Sequence, residues 1–500
     1  MKKISFFASL LLLSSSLSAQ NVSDVLKYSS LQIGGTARSL GAGNAFGALG
    51  AEFGALSLNP AGLGVFRSNE FVVTPSLRLS NTNARLDGIT NVDWEEQNSA
   101  FNFDNVGMVF HTPTQGKWKS FNVGLGLNRQ HNYSQSIFYK GLSGGSIMNN
   151  FYKDAQQVFN NGGNDNDLDP FGSQLAWDAN AIYLDNNQLA YDFLGNENAT
   201  IDRSQIVNTY GRMNELLFAM AGNYDEKLMV GASVGVPFVN YRLEGDYREE
   251  DATEQVSFFD ELAYTEFLQT QGWGVNLKVG MIYKVTQQLR LGASFHTPTR
   301  LSLTDNYSNT FSYSYTDGGG SSSSGPLESP DGTSDYRLRT PWRASASAAF
   351  VAGKKGFLSA DVELVDYSAN RYNFTADVSN TENELYEREL NNAIRRAYRQ
   401  TVNVRLGGEL AFNKFRVRGG MNLLGNPRSD VDAQGRPVED YKNFSTAYTA
   451  GVGVRGESFY VDLGWRLTTA NGSVSPYNGA PLANTETSNN DILLTVGFKF

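Results

Sequence analysis

The 500-residue sequence contains no cysteine. That excludes a disulfide framework, a cysteine metal site and a lipid-anchored N-terminal cysteine. Histidine is almost as scarce, with three in the chain, which leaves few options for a His-centred enzyme. Long apolar runs are also missing. Beyond the N-terminus nothing approaches the ~20 residues that a membrane-spanning helix needs, and mean hydropathy is −0.35. An α-helical membrane protein is therefore excluded. There is no surplus of positive charge: 41 Lys and Arg face 51 Asp and Glu, a net −10. That balance argues against nucleic acid as a partner.

What is present is alternation. The chain ends on N-D-I-L-L-T-V-G-F-K-F (490–500), with Ile492, Leu494, Val496, Phe498 and Phe500 on one face of a strand. Asp491, Thr495, Gly497 and Lys499 fall on the other, because a strand reverses side-chain direction at each residue. Fourteen such segments are predicted: 69–81, 102–112, 119–133, 210–223, 228–241, 273–285, 288–303, 336–351, 356–368, 401–412, 415–424, 444–455, 458–469 and 490–500. The connectors alternate strictly between short and long. Thr286-Gln287, Asn413-Lys414 and Gly456-Glu457 are short; 82–101, 134–209, 242–272 and 304–335 are long. This is the rhythm of an up-and-down transmembrane barrel, with short turns at one end and long outer loops at the other. The predicted fold is all-β: a 14-stranded antiparallel transmembrane β-barrel in a bacterial outer membrane.

An arginine facing lipid at mid-bilayer would cost roughly 2–4 kcal/mol. The charged faces are therefore the inner ones. Arg290, Arg343, Asp361, Glu363, Arg405, Arg416, Arg418 and Arg466 should line the interior and pair there. Residues 1–19 read as a secretory signal, with Lys2 and Lys3 ahead of a ten-residue apolar stretch, 4–13. Residues 20–68 do not alternate. From 33 to 64 they are rich in small residues and nearly uncharged, with Arg38 and Glu52 as exceptions. They are too apolar for a free tail and too Gly-rich for a stable free helix. Such a segment needs a container, and the barrel lumen supplies one. The chain thus divides into 1–19 (signal), 20–68 (plug) and 69–500 (barrel).

The run A-R-S-L-G-A-G-N-A-F (37–46), followed by S-L-N-P-A-G-L (57–63), resembles the opening of the FadL/TodX family of outer-membrane transporters for long-chain fatty acids and hydrocarbons. The stretch 273–300 resembles a hairpin of that family, and the order of signal, plug, strands and terminal Phe matches it along the whole chain. In style the sequence is similar to members from the Bacteroidetes lineage, some of which carry a hemin-receptor label. The resemblance implies passive uptake of a hydrophobic molecule from a Gram-negative cell's surroundings. A plug rearrangement would open a lateral exit through a kinked wall into the outer-membrane lipid. The terminal strand would serve as the signal to the barrel assembly machinery. It implies a monomer that needs no cofactor. The candidate site residues are Asn59, Pro60 and Ala61 as the plug's turn or gate, and Phe46 and Phe53 for an apolar pocket. Arg38 is a candidate for a substrate head group or an interior ion pair.

Other chemistry is weaker. His111 and His296 each open an H-T-P-T, and an inward histidine could ligate haem iron, so a hemin-binding receptor of the same architecture is the alternative reading. Asp165, Asp167 and Asp169 alternate as oxygen ligands do in calcium loops, but the Gly and distal Glu of an EF-type loop are missing. A solvated acidic loop is the plainer reading. His131 near Ser134 and Ser136 is the one arrangement that tempts an enzymatic reading; a non-enzyme is expected. A TonB-coupled receptor needs about 22 strands, and an open porin would not need an apolar plug. The long loop 134–209 carries Phe151, Phe159, Leu175 and Trp177, which could fold over the mouth. Residues 319–325 read as a flexible Gly-Ser tip, and 382–400 as a short charged helix.

Overall fold

A computed structural model describes residues 22–90, 92–317, 319–374, 381–433, 435 and 444–500; the expected signal, 1–19, lies outside them. The strands are β1 (Glu70–Leu86), β2 (Asp93–Pro113), β3 (Trp118–Asn132), β4 (Thr200–Tyr224), β5 (Leu228–Glu250), β6 (Phe259–Lys284) and β7 (Leu289–His296, resumed at Arg300–Asp317). They continue with β8 (Gly332–Arg339, resumed at Arg343–Val351), β9 (Gly356–Asp366), β10 (Gln400–Phe412), β11 (Phe415–Gly425), β12 (Phe444–Arg455), β13 (Phe459–Val474) and β14 (Ala483–Lys499). Each pairs antiparallel with its neighbours. β14 returns to β1 with Phe498 opposite Phe71, which closes the barrel. Each expected strand is present, in order.

The two faces sort as the alternation requires. On β6, Trp273, Val275, Leu277, Val279, Met281 and Tyr283 are exposed, while Asn276, Lys278 and Ile282 are buried. On β13, Phe459, Leu463 and Trp465 face outward, while Tyr460, Asp462 and Arg466 face inward. From Trp273 to Tyr283, at about 3.3 Å per residue and a tilt of about 40°, the apolar band stands about 25 Å tall, the height of a membrane barrel's girdle. No helix among the described residues is long and apolar enough to cross a membrane.

The strands run further than their apolar stretches. β2 begins at Asp93, β4 at Thr200 and β6 at Phe259, and β5 reaches Glu250, so much of the expected outer loops is strand. Above the girdle the outward face is polar, as at Glu261, Thr265, Gln269 and Gln271. The pleat continues there without an apolar signature. The Gly-Ser stretch is likewise a strand rather than a flexible tip: Gly320–Glu328 folds back on Thr310 to Asp317 of β7.

The loop between β3 and β4 forms a cap. A strand, Gln135–Gly144, lies along the top of β4. Helices α3 (Met148–Asn160) and α4 (Ser173–Asp178) follow. Ile147, Leu175, Ile182 and Phe193 share a core with Tyr247, Tyr264, Phe311 and Tyr313 on the upper walls of β5 to β7. Of the two plug helices, α1 spans Asp24–Ser29 and α2 spans Ala37–Gly41. The charged helix expected near 382–400 is α5 (Thr381–Ala397). It is amphipathic: Leu390, Ile394 and Ala397 pack in one cluster with Val25 and Tyr28 of α1 and with Tyr336 and Tyr372.

Residues 22–68 fill the lumen. α1 and α2 are followed by 3₁₀ turns at Gly54–Ser57 and Pro60–Val65. Thr36 caps α2 in a reciprocal box with Ser39. Barrel glycines admit the plug at close range. Phe53 lies where side chains at Gly107 of β2 and Gly126 of β3 would stand, and Asn59-Pro60 lies where side chains at Gly280 and Gly231 would stand.

Candidate functional site

The plug is fastened at Asn59. Its side-chain oxygen accepts from the Ala61 N–H (3.0 Å), capping the turn that Pro60 begins. Its Nδ2 donates to the carbonyls of Gly47 in the plug (2.7 Å), Met281 on β6 (3.1 Å) and Ala293 on β7 (3.4 Å). One amide thus joins two parts of the plug to two wall strands. The expected turn residues Asn59, Pro60 and Ala61 form this seat together.

The other candidates are dispersed. Phe46 packs edge-on against Phe357 of β9, with ring centroids 5.5 Å apart. Phe53 lies in a separate cluster with Leu56, Leu63, Val109 and Leu217. Neither lines the two cavities described below; both act as plug-to-wall packing. Arg38 sits in an ion pair with Glu409 (3.3 Å) and reaches Glu52 at 3.8 Å. Of its two readings, the interior ion pair is the one present. His296 is buried, and its Nε2 lies 2.9 Å from the Leu58 carbonyl. His111 Nδ1 meets Asn122 at 2.9 Å, and His131 Nδ1 meets the Ser30 carbonyl at 2.7 Å. Ser136 donates to Asn208 (2.7 Å) rather than to His131. No group of three or more potential metal ligands occurs among the described residues. In the cap, Asp167 accepts from the Asn164 N–H (2.9 Å) and Asp169 from the Phe171 N–H (3.2 Å). They cap local turns.

The inner wall carries the expected charge network. Glu363 takes Arg343 (3.1 Å) and Arg405 (3.2 Å); Arg418 bridges Glu409 (2.6 Å) and Asp462 (2.7 Å). Several of these groups also hold plug backbone. Arg290 donates to the Leu49 carbonyl (2.9 Å), Arg343 to Ser29, and Asp361 accepts from the Gly47 N–H (3.0 Å). Buried pairs of this kind are costly to break singly, at about 3–5 kcal/mol.

The place of a break in the wall was not foreseen from the sequence. β2 pairs with β1 from Arg85↔Asp93 down to Glu70↔Val109. Its pairing with β3 stops at Asn105↔Asn128. From Asp104 outward that edge of β2 has no ladder to β3. β3 bends there, with a register shift against β4 between Arg129 and His131. The seam closes again above, where Trp94 packs edge-on against Phe138 (5.1 Å) and donates to the Lys140 carbonyl (3.0 Å). Phe101 and Phe103, exposed on the outer face of β2, stand beside it. From inside, plug residues 32–34 lie on the edge of β3: the Gln32 N–H donates to the Gln130 carbonyl (2.8 Å) and the Gly34 N–H to that of Arg129 (3.0 Å).

Three guanidiniums and two carboxylates frame this plug strip. Arg78 and Arg466 share Asp491, at 2.6 and 2.7 Å, and Arg129 pairs with Asp104 at 2.8 Å. Arg78 also donates to the Gln32 side chain (3.1 Å) and Arg466 to the Ile33 carbonyl (3.4 Å). These residues sit on the inward faces of the expected strands, so their direction was readable. Their convergence depends on the bend in β3, which alternation does not encode.

Two cavities flank the plug. One of about 30 Å³ lies against α1, lined by Tyr28, Leu31, Met213, Lys278, His296 and Arg343. Such a space admits a water molecule or two. The other, about 310 Å³, opens at the short-turn end among Arg38, Glu52, Glu70, Glu409, Arg455 and Tyr460.

No family model and no curated protein sequence matches the chain. Solved structures do. A Pseudomonas aeruginosa FadL homologue aligns over 94% of this chain and 98% of its own, at 12% identity and a TM-score of 0.52. The Pseudomonas putida toluene transporter TodX aligns over 93% and 98%, at 14% identity and a TM-score of 0.50. The chain has the fold of the FadL/TodX outer-membrane transporters.

Proposed function

We propose that the protein is a passive outer-membrane channel of a Gram-negative bacterium, through which hydrophobic molecules cross by lateral exit into the bilayer. The observation that carries this reading is the seam between β2 and β3, backed by a plug strip that is hydrogen-bonded to one edge only. An apolar solute gains nothing from a water-filled pore, and here the lumen at girdle height is occupied by plug. A gap in the wall at that height offers such a solute a route that stays out of water. The exit opens when residues 32–34 leave the β3 edge, and Arg78, Arg129 and Arg466 hold them there at rest. Irregular backbone is tolerated at this depth because protein surrounds it. That a toluene transporter shares the fold supports the substrate class. The apolar terminal strand, paired with β1, is where the assembly machinery would engage, and a closed barrel needs no second copy. No observation favours the hemin reading: His296 is engaged by the plug.

The absence of native cysteine gives a clean test. Gln32→Cys with Gln130→Cys places one disulfide across main chains hydrogen-bonded at 2.8 Å. In reconstituted vesicles, the oxidised variant should stop passage of a fluorescent hydrophobic probe, and reduction should restore it. Equal rates in both states would place the exit elsewhere.

A further inference from the structure

Between the cap and the plug the inward side chains change character. Tyr247, Tyr264 and Phe311 above are buried in the cap core, and Tyr241, Leu303 and Tyr336 below are buried with α1 and α5. The ring between them, Val207, Leu243, Glu266, Leu268 and Tyr307, is only partly buried, although every member points into the barrel. Partial exposure on inward faces, between two buried layers, marks a chamber. Its walls are mainly apolar, with Glu266, the Asn309 amide and the Tyr307 hydroxyl as polar groups. The residues opposite Glu266 in register are Gly245 on β5 and Asn309 on β7. Gly245 has no side chain to fill the space, and the Glu266 carboxylate stands beside it.

Nearby donors are committed elsewhere. The Tyr264 hydroxyl donates to the Phe171 carbonyl (2.9 Å) and that of Tyr139 to Gln205 (2.8 Å). The Asn309 amide donates to the Phe171 carbonyl (2.9 Å) and to Tyr264 (2.5 Å). The nearby arginines of β5, Arg242 and Arg248, are exposed and paired with Glu244 and Asp246. Among the described residues Glu266 has neither a hydrogen-bond partner nor a cation. Holding a carboxylate unpaired beside apolar walls is unfavourable, and groups held at such a cost cluster at functional sites.

We infer that this chamber is a binding site for an apolar molecule that carries a hydrogen-bond donor, such as a hydroxyl, which Glu266 accepts. The inference rests on the channel reading and narrows its substrate class. Glu266 repels a carboxylate and rewards a donor, so a long-chain alcohol enters where the matching fatty-acid anion is disfavoured. The capping loop supplies Phe171 to the walls, against Tyr307, and the charge it brings near, Asp169, is negative as well.

Photo-crosslinking with diazirine analogues of decanol and decanoate, on the full chain in lipid nanodiscs at about pH 7.5, tests this. The alcohol should label the wall around Glu266, with the carboxylate lower by on the order of tenfold, the factor that about 1.4 kcal/mol of differential affinity gives. Glu266→Gln, with its fold checked by heat-dependent gel mobility, should bring the two probes within about twofold of each other. Equal labelling by both probes in the unmodified protein, a measurement that needs no variant, would overturn the assignment. So would a ratio that Glu266→Gln leaves unchanged in a folded barrel. Failure of both probes to reach any lumen residue would instead sink the channel reading together with the site.

Discussion

At the scale of single residues, Asn59 has the most specific role. Three carbonyls, from Gly47, Met281 and Ala293, converge on its amide nitrogen. Asn59→Asp replaces that donor with a carboxylate oxygen, itself an acceptor, so the carbonyls lose their partner and face a negative charge. The expected cost to plug seating is on the order of 1–3 kcal/mol. It should appear as ion conductance across planar bilayers where the native protein is quiet. The family resemblance singled out Asn59, Pro60 and Ala61 as a turn, and the structure gives the physical reason: Asn accepts well at a helix start and Pro fits the first position. Their hold on β6 and β7 was not legible, since it depends on which strands the plug meets. Arg38 shows the same limit. A lone arginine in an uncharged run announces a partner, but only the fold identifies that partner as Glu409.

At the scale of elements, the plug strip and the cap each lend themselves to one measurement. Gln32→Pro removes the N–H that bonds Gln130, a loss of about 1 kcal/mol, and should raise basal probe passage without unfolding the barrel. In the cap, burial, with Asp154 nearby, pushes the Asp169 carboxyl up to about 6. An acid whose pKa is raised by folding binds its proton more readily when folded. The cap therefore gains stability as pH falls through about 6 toward the ordinary carboxylate range. The groups facing Asp169 are Asp154, itself bonded to Ser173, and the Phe171 N–H. Protease nicking of the loop should be slower at about pH 5.5 than at about pH 7.5, and Asp169→Asn should remove the difference. Strand positions were readable inside the girdle, where lipid forces apolar residues outward. They were unreadable above it, where the outward face of β6 turns polar and lipid no longer forces the sorting. The seam between β2 and β3 left no trace either, because an edge without a partner keeps its alternation.

At the scale of the whole molecule, the girdle and the lumen answer to opposite solvents. Val279→Arg on the outer face of β6 should cost about 2–4 kcal/mol in denaturant unfolding from lipid. An added charge above the girdle, such as Gln271→Lys, should cost close to nothing. The fold class was legible in full because the alternation of short and long connectors is a property of the chain as a line. The placement of the seam was not, because it is a property of the closed surface. The length of the strands has its own consequence. β6 runs about fourteen residues from Phe259 to Gly272 before its apolar stretch begins, roughly 45 Å at about 3.3 Å each, and β4 and β5 rise beside it. This collar is a stiff tower, and the cap is mounted on top of it. A greasy molecule that cannot pass the sugar layer coating the outer leaflet need not try. On the proposed channel reading it would be taken in above that layer and descend inside a protein sleeve, and the collar's height would set which thickness of cell-surface carbohydrate the protein can serve.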